Sequence, residues 1–452
     1  MTARAPIAVR FLTYDDVRAL PGVDKLDALT RVPVAQRPAA WDAWVRQRAV
    51  DVNRRLQQGE EDSLAYLLLY GTSFTTAPRV TREFLEGAAR GAAAGSADTS
   101  PALALAFDAR MTDLLRALQA PGRNDRFLWA AATLARLGYR LDTDAGRTKA
   151  AEYLLKNLSR VMRESTELSQ ALAASDRNAD REAQLAQRAR LFSQRGLAPD
   201  TSWPINFAIA AALRALKPVA SRGPISRVAI VGPGLDFVDK DEGYDFYPPQ
   251  SLQPFAVVDA IAGAGLASAS GVRVTTIDVS ARVNDHLKRL VGPGGRRPFD
   301  LQLVRDPLIA WTPDATQYWS GFGASIGTVA TPVDPPSSVR TLERRAIRVR
   351  PDVIGHIAPI DANIVYQRIM PTPDERFDLV VATNVLLYYD AFEQMLAASN
   401  IAALLAPDGL FLTNTKLDDL PAFPLERVAE SSTAFSSRPG DGEYVFSYRR
   451  RR

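Results

Sequence analysis

Apolar residues recur every three to four positions along residues 1–200, which is the spacing of helices that bury one face. The nearly all-apolar stretch DSLAYLLLY predicts a buried helix that begins at Asp62, whose carboxylate is a suitable N-terminal cap. Residues 89–100 are small and polar, which predicts a loop or linker. Residues 1–200 are therefore expected to form an all-α N-terminal domain. The other helices predicted in it span 41–58, 107–120, 125–137, 148–174 and 178–196.

The pattern changes near residue 200, where short β-rich runs begin to alternate with helical segments. Pro204 suits the first turn of a helix at 203–217. This alternation predicts an α/β domain over residues 201–452, with a mostly parallel sheet and helices on both faces. A last strand at 443–449 is expected to close the edge of the sheet. The other predicted strands are 227–231, 272–277, 377–382 and 409–414, and the predicted helices are 253–268, 281–290 and 391–405.

Residues 292–351 interrupt the alternation and are rich in proline and glycine. The segment is too long for a simple crossover, so it is expected to be a functional insertion or a hairpin subdomain. Its aromatic residues fill a small core of the insertion on one interpretation, and line a substrate pocket on the other. The residues meant are Trp311, Tyr318, Trp319 and Phe322, which are four of the five aromatic residues of the segment.

The composition narrows the possible chemistry. The chain has no cysteine, which excludes disulfides, thiolate zinc sites and a cysteine nucleophile. With only two histidines, no histidine-rich metal site is expected. A net charge of +4 over 452 residues does not indicate a nucleic-acid partner. No apolar run is long enough to span a membrane, and the N-terminus has no signal-peptide core, so a cytoplasmic protein is expected.

The stretch VAIVGPGLDF (228–237) places two glycines, Gly232 and Gly234, directly after a buried strand. Glycines there let the backbone approach a ligand at the carboxyl edge of a parallel sheet. A dinucleotide-binding turn would have a third glycine at position 237, where this chain has Phe237. It would also have an acid about 20 residues further on, whereas the next acid at a strand end is Asp278. A pyrophosphate site is therefore disfavoured, and a purely structural turn stays open.

Polar side chains follow several other predicted strands. Asp278 ends its strand in TTIDVS, where a carboxylate can accept both hydroxyls of a ribose. Alternatively, Asp278 or Ser280 caps the helix that follows. The segments APIDANIV (358–365) and FDLVVATNVLLYYD (377–390) place further acids and amides at such ends. Acids and amides at successive strand ends are what a nucleoside ligand requires.

These pieces, together with LLAPDGLFL further on, resemble the class I S-adenosylmethionine-dependent methyltransferases. The segment 377–390 is similar to the FDLIFCRNVLIYFD-type segment of the chemotaxis receptor (CheR-like) methyltransferases. The resemblance covers about residues 200–450. It implies a Rossmann-like class I methyltransferase sheet, mostly parallel with an antiparallel edge strand, and S-adenosylmethionine as the cofactor.

The resemblance also implies roles for particular residues. Gly232 and Gly234 would pass close to the methionine part of the cofactor, and Asp278 would hold the ribose hydroxyls. Asn363 and Ile364 would lie beside the adenine, and Tyr388 would face the methyl-transfer site. The complete set of cofactor-binding residues implied is Gly232, Pro233, Gly234, Asp236, Asp278, Val279, Asp361, Ala362, Asn363, Ile364, Asn384 and Val385.

Two departures from the family keep a second hypothesis open. Ile230 stands where the family often has an acid, and Thr383 stands where an arginine precedes the asparagine. Either Asp236 compensates for the missing acid, or the site has drifted from catalysis. The first hypothesis is a methyltransferase whose acceptor, a small molecule or a protein, is not indicated. The alternative is a degenerate methyltransferase-like module that binds cofactor or another protein. A third hypothesis, a nicotinamide-dependent oxidoreductase, is disfavoured because Phe237 replaces the third glycine of a dinucleotide-binding turn.

Methyl transfer from a sulfonium depends mainly on positioning and needs a base only where the acceptor must lose a proton. The nearby candidates for that base are Tyr388, Tyr389 and Asp390, which packing and helix capping would explain equally well. His286 and His356 are more distant candidates. No metal is required, and no oligomeric state is indicated.

Overall fold

The computed structural model describes residues 7–81, 84, 99–176, 192, 195–199, 203–216, 223–236, 243–292, 298–339, 342–417, 424–438 and 441–451. In chain order the helices are α1 Tyr14–Val17, α2 Asp27–Thr30, α3 Arg37–Tyr70, α4 Thr99–Gln119, α5 Asp125–Arg136, α6 Asp144–Asp176, α7 Pro204–Leu216, α8 Gln253–Gly263, α9 Ala281–Val291, α10 Pro313–Gly321, α11 Pro351–Ile354 and α12 Ala391–Leu404. The strands are β1 Ala8–Phe11, β2 Arg227–Val231, β3 Arg273–Asp278, β4 Asp300–Arg305, β5 Gly327–Ala330, β6 Glu343–Val349, β7 Ile357–Asp361, β8 Gln367–Met370, β9 Phe377–Ala382, β10 Leu405–Thr413, β11 Leu425–Ala434 and β12 Gly442–Arg450.

A seven-stranded sheet forms the centre of the fold, in the order β11-β12-β10-β9-β2-β3-β7. Strands β10, β9, β2, β3 and β7 pair in parallel, while β12 runs antiparallel to both of its neighbours. The predicted α/β, Rossmann-like, mostly parallel sheet is therefore confirmed. The antiparallel strand lies one position in from the edge, because β11 forms the outermost strand. The sequence reading did not identify β11, whose sequence LERVAESSTA is mostly polar and whose side chains are mostly exposed or half-buried.

Each face of the sheet has its own apolar core, because successive strand residues point to opposite faces. On one face, Val228 and Ile230 of β2 pack with residues of α7, α8 and α9. On the other face, Ala229 and Val231 pack with α12 and with the beginning of the chain, including Trp41. Ile230 is fully buried in the first core, so the position where the family often has an acid is apolar packing here.

The N-terminal region contains one long helix where two were predicted. Helix α3 runs without a break through Gly59 and Asp62. Gly59 is required because a Cβ there would lie 2.0 Å from the backbone oxygen of Leu197. The prediction that Asp62 caps a helix is wrong, because its buried side chain forms an ion pair with Arg160 of α6.

The second half of α3 and helices α4 to α6 enclose a separate apolar core, while the first half of α3 and the residues before it join the central domain. Strand β1 pairs with β8, and the indole of Trp41 donates a hydrogen bond of 2.8 Å to the carbonyl of Leu12. The region is helical apart from β1, and the domain boundary near residue 200 stays a prediction. Of the predicted loop at 89–100, residues 89–98 lie outside the described residues, whereas residues 99 and 100 are the first two of α4, so the loop prediction is wrong there. Most of the predicted helix at 178–196 also lies outside the described residues.

The insertion forms a small antiparallel sheet in the order β4-β6-β5, with α10 packed beside it. Its aromatic residues pack on the central domain: Trp311 stacks on Trp203 at 4.4 Å between ring centroids, and Trp319 and Phe322 are buried in the first core. Trp311, Tyr318, Trp319 and Phe322 do not line the cavity described below, so that cavity does not support the substrate-pocket interpretation. The core interpretation is closer, although the core they fill is that of the central domain.

Candidate functional site

The carboxyl ends of β2 and β9 form a crevice where the chain changes direction across the sheet. From β2 the chain continues to β3 and β7 on one side, and it returns at β9 on the other side. Such a switch point is where open α/β sheets bind ligands. A cavity with about 650 Å³ of free space lies there, including its opening to solvent.

The structure brings most of the predicted site residues to this cavity. Those that line it are Gly232, Gly234, Asp278, Val279, Ala362, Asn363, Ile364, Asn384, Val385 and Tyr388. Pro233, Asp236 and Asp361 do not line it. Tyr389, which was predicted only as a candidate base, also lines it. The described part of the chain contributes further residues that were not predicted to line the site, namely Leu56, Leu197, Ala198, Pro199, Val231, Ile277, Ser280 and Thr383.

The glycine turn has a backbone that other residues adopt only with strain. Gly232 and Gly234 have φ of 65° and 64°, in the left-handed region. The backbone N–H of Gly232 donates a hydrogen bond of 2.9 Å to the carbonyl of Ile277, which ties the turn to β3. A Cβ at Gly232 would lie 2.4 Å from Cγ2 of Val385. Glycine is therefore needed both for conformation and for space.

Asp278 is a buried carboxyl group at the end of β3, 7% exposed. Its pKa is raised to about 7, mainly by burial and to a smaller extent by the nearby charge of Asp361. Hydrogen bonds from the backbone N–H groups of Ser280, Gly234 and Val279 lower the pKa and offset part of this rise. The Ser280 contact measures 2.7 Å. Ser280, and not Asp278, caps α9, since its side chain accepts from the third residue of that helix. A half-neutralised carboxylate in a cavity, not needed as a cap, is typical of a ligand-binding group.

The turn after β9 is held by a reciprocal pair of amides. Asn384 has a left-handed φ of 58°. Its backbone N–H donates to Oδ1 of Asn414 at 2.9 Å, and Nδ2 of Asn414 donates to Oδ1 of Asn384 at 2.7 Å. Beside it, Thr383 accepts a hydrogen bond of 2.8 Å from Nε2 of Gln253 at the start of α8. The chain bends sharply here, so Asn384 and Val385 lie against the glycine turn.

Asn363 forms another wall, and its side chain is occupied by the backbone of its own loop. Its Oδ1 accepts from the N–H of Val365 at 2.8 Å and of Tyr366 at 3.4 Å. Its Nδ2 lies 3.5 Å from the hydroxyl of Tyr389, a donor contact at the edge of hydrogen-bond range. Burial raises the pKa of Tyr389 to about 12, so this hydroxyl stays neutral at physiological pH.

The roof of the cavity comes from the N-terminal region, and Arg55 of α3 ties it together. The guanidinium donates to the carbonyl of Tyr388 at 2.8 Å and to that of Arg195 at 3.0 Å. It also lies 5.7 Å from the centroid of the Tyr389 ring. The backbone N–H of Leu197 donates to the carbonyl of Arg55 at 2.8 Å. Residues 195–199 thereby form a strap across the cavity, and Tyr388 lies beneath it.

The only sequence signal for the contact between the strap and α3 is a pair of glycines. Gly59 lies in the middle of a helical pattern, and Gly196 comes just before the strap enters the cavity wall. A Cβ on Gly196 would lie 2.6 Å from the backbone nitrogen of Gly59, so the two backbones cross in direct contact. A glycine inside a helical pattern often has such a packing reason. Leu56 and residues 197–199 carry no chemistry of their own to mark them as site residues.

Several predicted residues serve other purposes. Asp236 accepts hydrogen bonds from the hydroxyl of Tyr247 at 2.8 Å and from Nε2 of Gln250 at 3.0 Å. It does not line the cavity, so it does not replace there the acid that is missing at Ile230. Asp361 is exposed beside Asp278 in the sheet, and Pro233 is buried within the turn.

The more distant candidates for a base are also placed elsewhere. Asp390 caps α12, accepting from the N–H of Glu393 at 2.8 Å. His286 is largely buried outside the cavity, where burial lowers its pKa to about 4. His356 does not line the cavity either, and its carbonyl accepts from β3 at Val274. Of the predicted bases, Tyr388 and Tyr389 reach the cavity.

Two further kinds of feature are absent from the part of the chain that the structure describes. No cluster of three or more histidine, aspartate or glutamate side chains there has the arrangement to hold a metal ion. No helix in that part combines the length and apolarity needed to cross a membrane.

No protein-family model and no curated protein matches the sequence. Among solved structures, the N-methyltransferase NodS from Bradyrhizobium japonicum WM9, in complex with S-adenosyl-L-homocysteine, is 15% identical, with 59% of this chain and 99% of that chain covered and a TM-score of 0.27. Magnesium protoporphyrin IX methyltransferase (ChlM) from Synechocystis PCC 6803, with bound S-adenosylmethionine, is 10% identical, with 59% and 84% covered and a TM-score of 0.25. TrmN from Thermus thermophilus is 13% identical, with 56% and 55% covered and a TM-score of 0.25. The function proposed below rests on the geometry of the cavity and not on these matches.

Proposed function

We propose that this chain is an S-adenosylmethionine-dependent methyltransferase whose cofactor occupies the cavity at the carboxyl edge of the sheet. The observation that carries the proposal is the convergence of three features on one cavity. They are the left-handed glycines of the first turn, the buried carboxyl of Asp278 and the left-handed Asn384. Each follows a different parallel strand at the switch point, where a nucleoside ligand is expected.

The charge of the cavity supports a sulfonium nucleoside over a dinucleotide. Among the described residues that line it, Asp278 is the one with a side chain that titrates below pH 8, and none is lysine, arginine or histidine. A pyrophosphate would bring two negative charges to a wall that offers a carboxylate and no cation. A ribose diol and a positively charged sulfonium suit the same wall.

The residues of the chain then have distinct tasks. Gly232 and Gly234 let the backbone approach the ligand closely, and Asp278 would accept the ribose hydroxyls. Ala362, Asn363 and Ile364 would border the base. The cofactor supplies a methyl group activated for in-line displacement, so the remaining task of the protein is to position an acceptor and exclude water.

Tyr388 is the residue we assign to the acceptor side of the cavity. Its ring packs edge-on against Phe192, with centroids 5.8 Å apart, and its carbonyl is fixed by Arg55. A fixed aromatic wall holds an acceptor in line, and its hydroxyl can accept a hydrogen bond from the attacking group. The closer likeness of segment 377–390 to chemotaxis receptor methyltransferases stays a prediction and indicates no acceptor.

Transfer of a radiolabelled methyl group tests this function. The protein is incubated with labelled S-adenosylmethionine and cell extract, and small-molecule and protein fractions are counted separately. We expect label in one fraction with the unaltered protein, and none with Asp278→Ala. Binding of S-adenosylmethionine without any transfer would support the degenerate cofactor-binding module, and the absence of binding would contradict both the methyltransferase and that module.

A further inference from the structure

Asp236 lies two residues beyond Gly234 but belongs to a polar network behind the cavity. We define the polar hub as Asp236, Arg126, Tyr247, Gln250 and Gln302. The last four side chains are between 1% and 6% exposed, so the network is almost dry. Buried polar groups of this kind are stable only when each finds its partner.

The hub joins three separate parts of the chain at the end of the glycine turn. Tyr247 and Gln250 donate to the Asp236 carboxylate from the loop before α8. Gln250 also exchanges two hydrogen bonds of 2.8 Å with the backbone of Gln302 in β4 of the insertion. Arg126 of α5, in the N-terminal helical region, donates to the carbonyl of Asp236 at 3.2 Å.

The glycine turn needs such support from outside. Two glycines in the left-handed region allow the turn but do not restrict it to one conformation, because glycine has the widest choice of backbone angles. The two residues after the turn are both fixed. The N–H of Leu235 donates to Pro199 in the strap at 2.8 Å, and the N–H of Asp236 donates to Gln250 at 2.6 Å.

We propose that Asp236 is a positioning residue, which holds the glycine turn in its binding conformation through the polar hub and never touches the cofactor. The consequence is that α5 and the insertion sheet are coupled to cofactor affinity, although neither lines the cavity. The binding part of this inference rests on the proposed function, and the conformational part does not.

The conformational part is tested on the ligand-free protein by hydrogen exchange. Asp236→Ala leaves the buried hydroxyl of Tyr247 without its acceptor and removes one of the two acceptors of the Gln250 amide, so the amides of residues 232 and 234–236 should exchange faster. Asp378→Asn is the matched control. Asp378 accepts from the N–H groups of Ser226 and Arg227, each at 2.9 Å, at the opposite end of β2. Unchanged exchange of residues 232–236 in Asp236→Ala, or an equal increase in the control, would overturn the proposal.

The binding part is tested by calorimetry with S-adenosylmethionine. Asp236→Ala should weaken binding by roughly tenfold or more, the effect of one or two lost buried hydrogen bonds. Asp236→Asn keeps one acceptor oxygen and should recover part of that loss. The control Asp378→Asn should bind within about twofold of the unaltered protein even where its thermal midpoint falls.

A double-mutant cycle separates positioning from direct contact. Tyr247→Phe removes one donor to Asp236 with little change in shape, and it serves alone if Asp236→Ala does not fold. Under the proposal, adding Asp236→Ala to Tyr247→Phe weakens binding less than it does in the unaltered protein, because both changes break one network. Strictly additive effects would mean that Asp236 acts independently of Tyr247, which would overturn the proposal. If the unaltered protein binds no S-adenosylmethionine, the proposed function fails while the exchange result still decides the role of the hub.

Discussion

Replacing Asp278 by asparagine should separate the affinity for S-adenosylmethionine from the stability of the ligand-free protein. Burial raises the pKa of this carboxyl to about 7, from an ordinary value of 3.8. That difference corresponds to roughly 4 kcal/mol against the ionised form in the ligand-free fold. A carboxylate that accepts two ribose hydroxyls must nevertheless be ionised to bind well. Ligand binding and ligand-free stability therefore depend on pH in opposite directions.

The sign for stability follows from the raised pKa. The folded state binds the Asp278 proton more tightly than the unfolded state does, so protonation of Asp278 stabilises the fold. This stabilisation of the folded state is complete below about pH 4 and is lost as the pH rises through about 7. Between about pH 5 and 8 the free energy of unfolding of the unaltered protein should fall by roughly 3 kcal/mol relative to that of Asp278→Asn. Asp62, whose pKa burial raises to about 6, titrates in both proteins and cancels in the comparison. Urea unfolding across this pH range measures the difference.

The sign for binding is the reverse. Affinity of the unaltered protein should fall by about 30-fold between about pH 8 and pH 5.5, because the ionised fraction of a group with a pKa near 7 falls by that factor. Asp278→Asn should bind about 100-fold more weakly at pH 8, for the loss of two charge-assisted hydrogen bonds, and its affinity should not vary with pH. Calorimetry at several pH values measures both. An affinity of the unaltered protein that is constant over this range, or an asparagine variant with the same pH dependence, would refute the reasoning.

Two further substitutions test the turn and the roof. Gly232→Ala should abolish measurable binding of S-adenosylmethionine in calorimetry and lower the thermal midpoint, because its Cβ would lie 2.4 Å from Val385. The control Gly122→Ala has a similar positive φ of 57° but open space around it, so it should lower the free energy of unfolding by only about 1 kcal/mol. Equal effects of the two would contradict the steric argument. Arg55→Lys should weaken binding of S-adenosylmethionine about tenfold, because lysine cannot donate to both of the separate carbonyls that the guanidinium joins. The control Arg54→Lys, at an exposed neighbouring position, should leave the affinity unchanged. An unchanged affinity in Arg55→Lys would mean that the roof does not contribute.

The parts of the site that could be predicted are those that follow from strand periodicity. A buried strand that ends in glycine or aspartate places that residue at the carboxyl edge of a parallel sheet, so Gly232, Asp278 and Asn384 were expected to meet and do line one cavity. No such rule predicts where the aromatic residues of the insertion lie. Trp311 and Trp319 are equally suitable for a core or a pocket by residue type, and only their packing distinguishes the two.

The parts that could not be predicted depend on long-range contacts. Leu56 and the strap at 195–199 are ordinary apolar or small residues, and they reach the cavity because α3 and the strap cross at Gly59. Asp236 shows the opposite case. It is adjacent in sequence to the glycine turn, but its side chain is directed to Tyr247 and Gln250 by a hydrogen-bond network that closes only in the folded chain.

The central claim is that the cavity at the carboxyl ends of β2, β3 and β9 binds S-adenosylmethionine. Isothermal titration of the ligand-free protein with S-adenosylmethionine, with NADH as the comparison and Gly232→Ala as the blocked site, tests it most directly. The account predicts saturable heat for S-adenosylmethionine at one site per chain, none for NADH and none for the variant. Saturable binding of NADH, or no heat with S-adenosylmethionine, would contradict it.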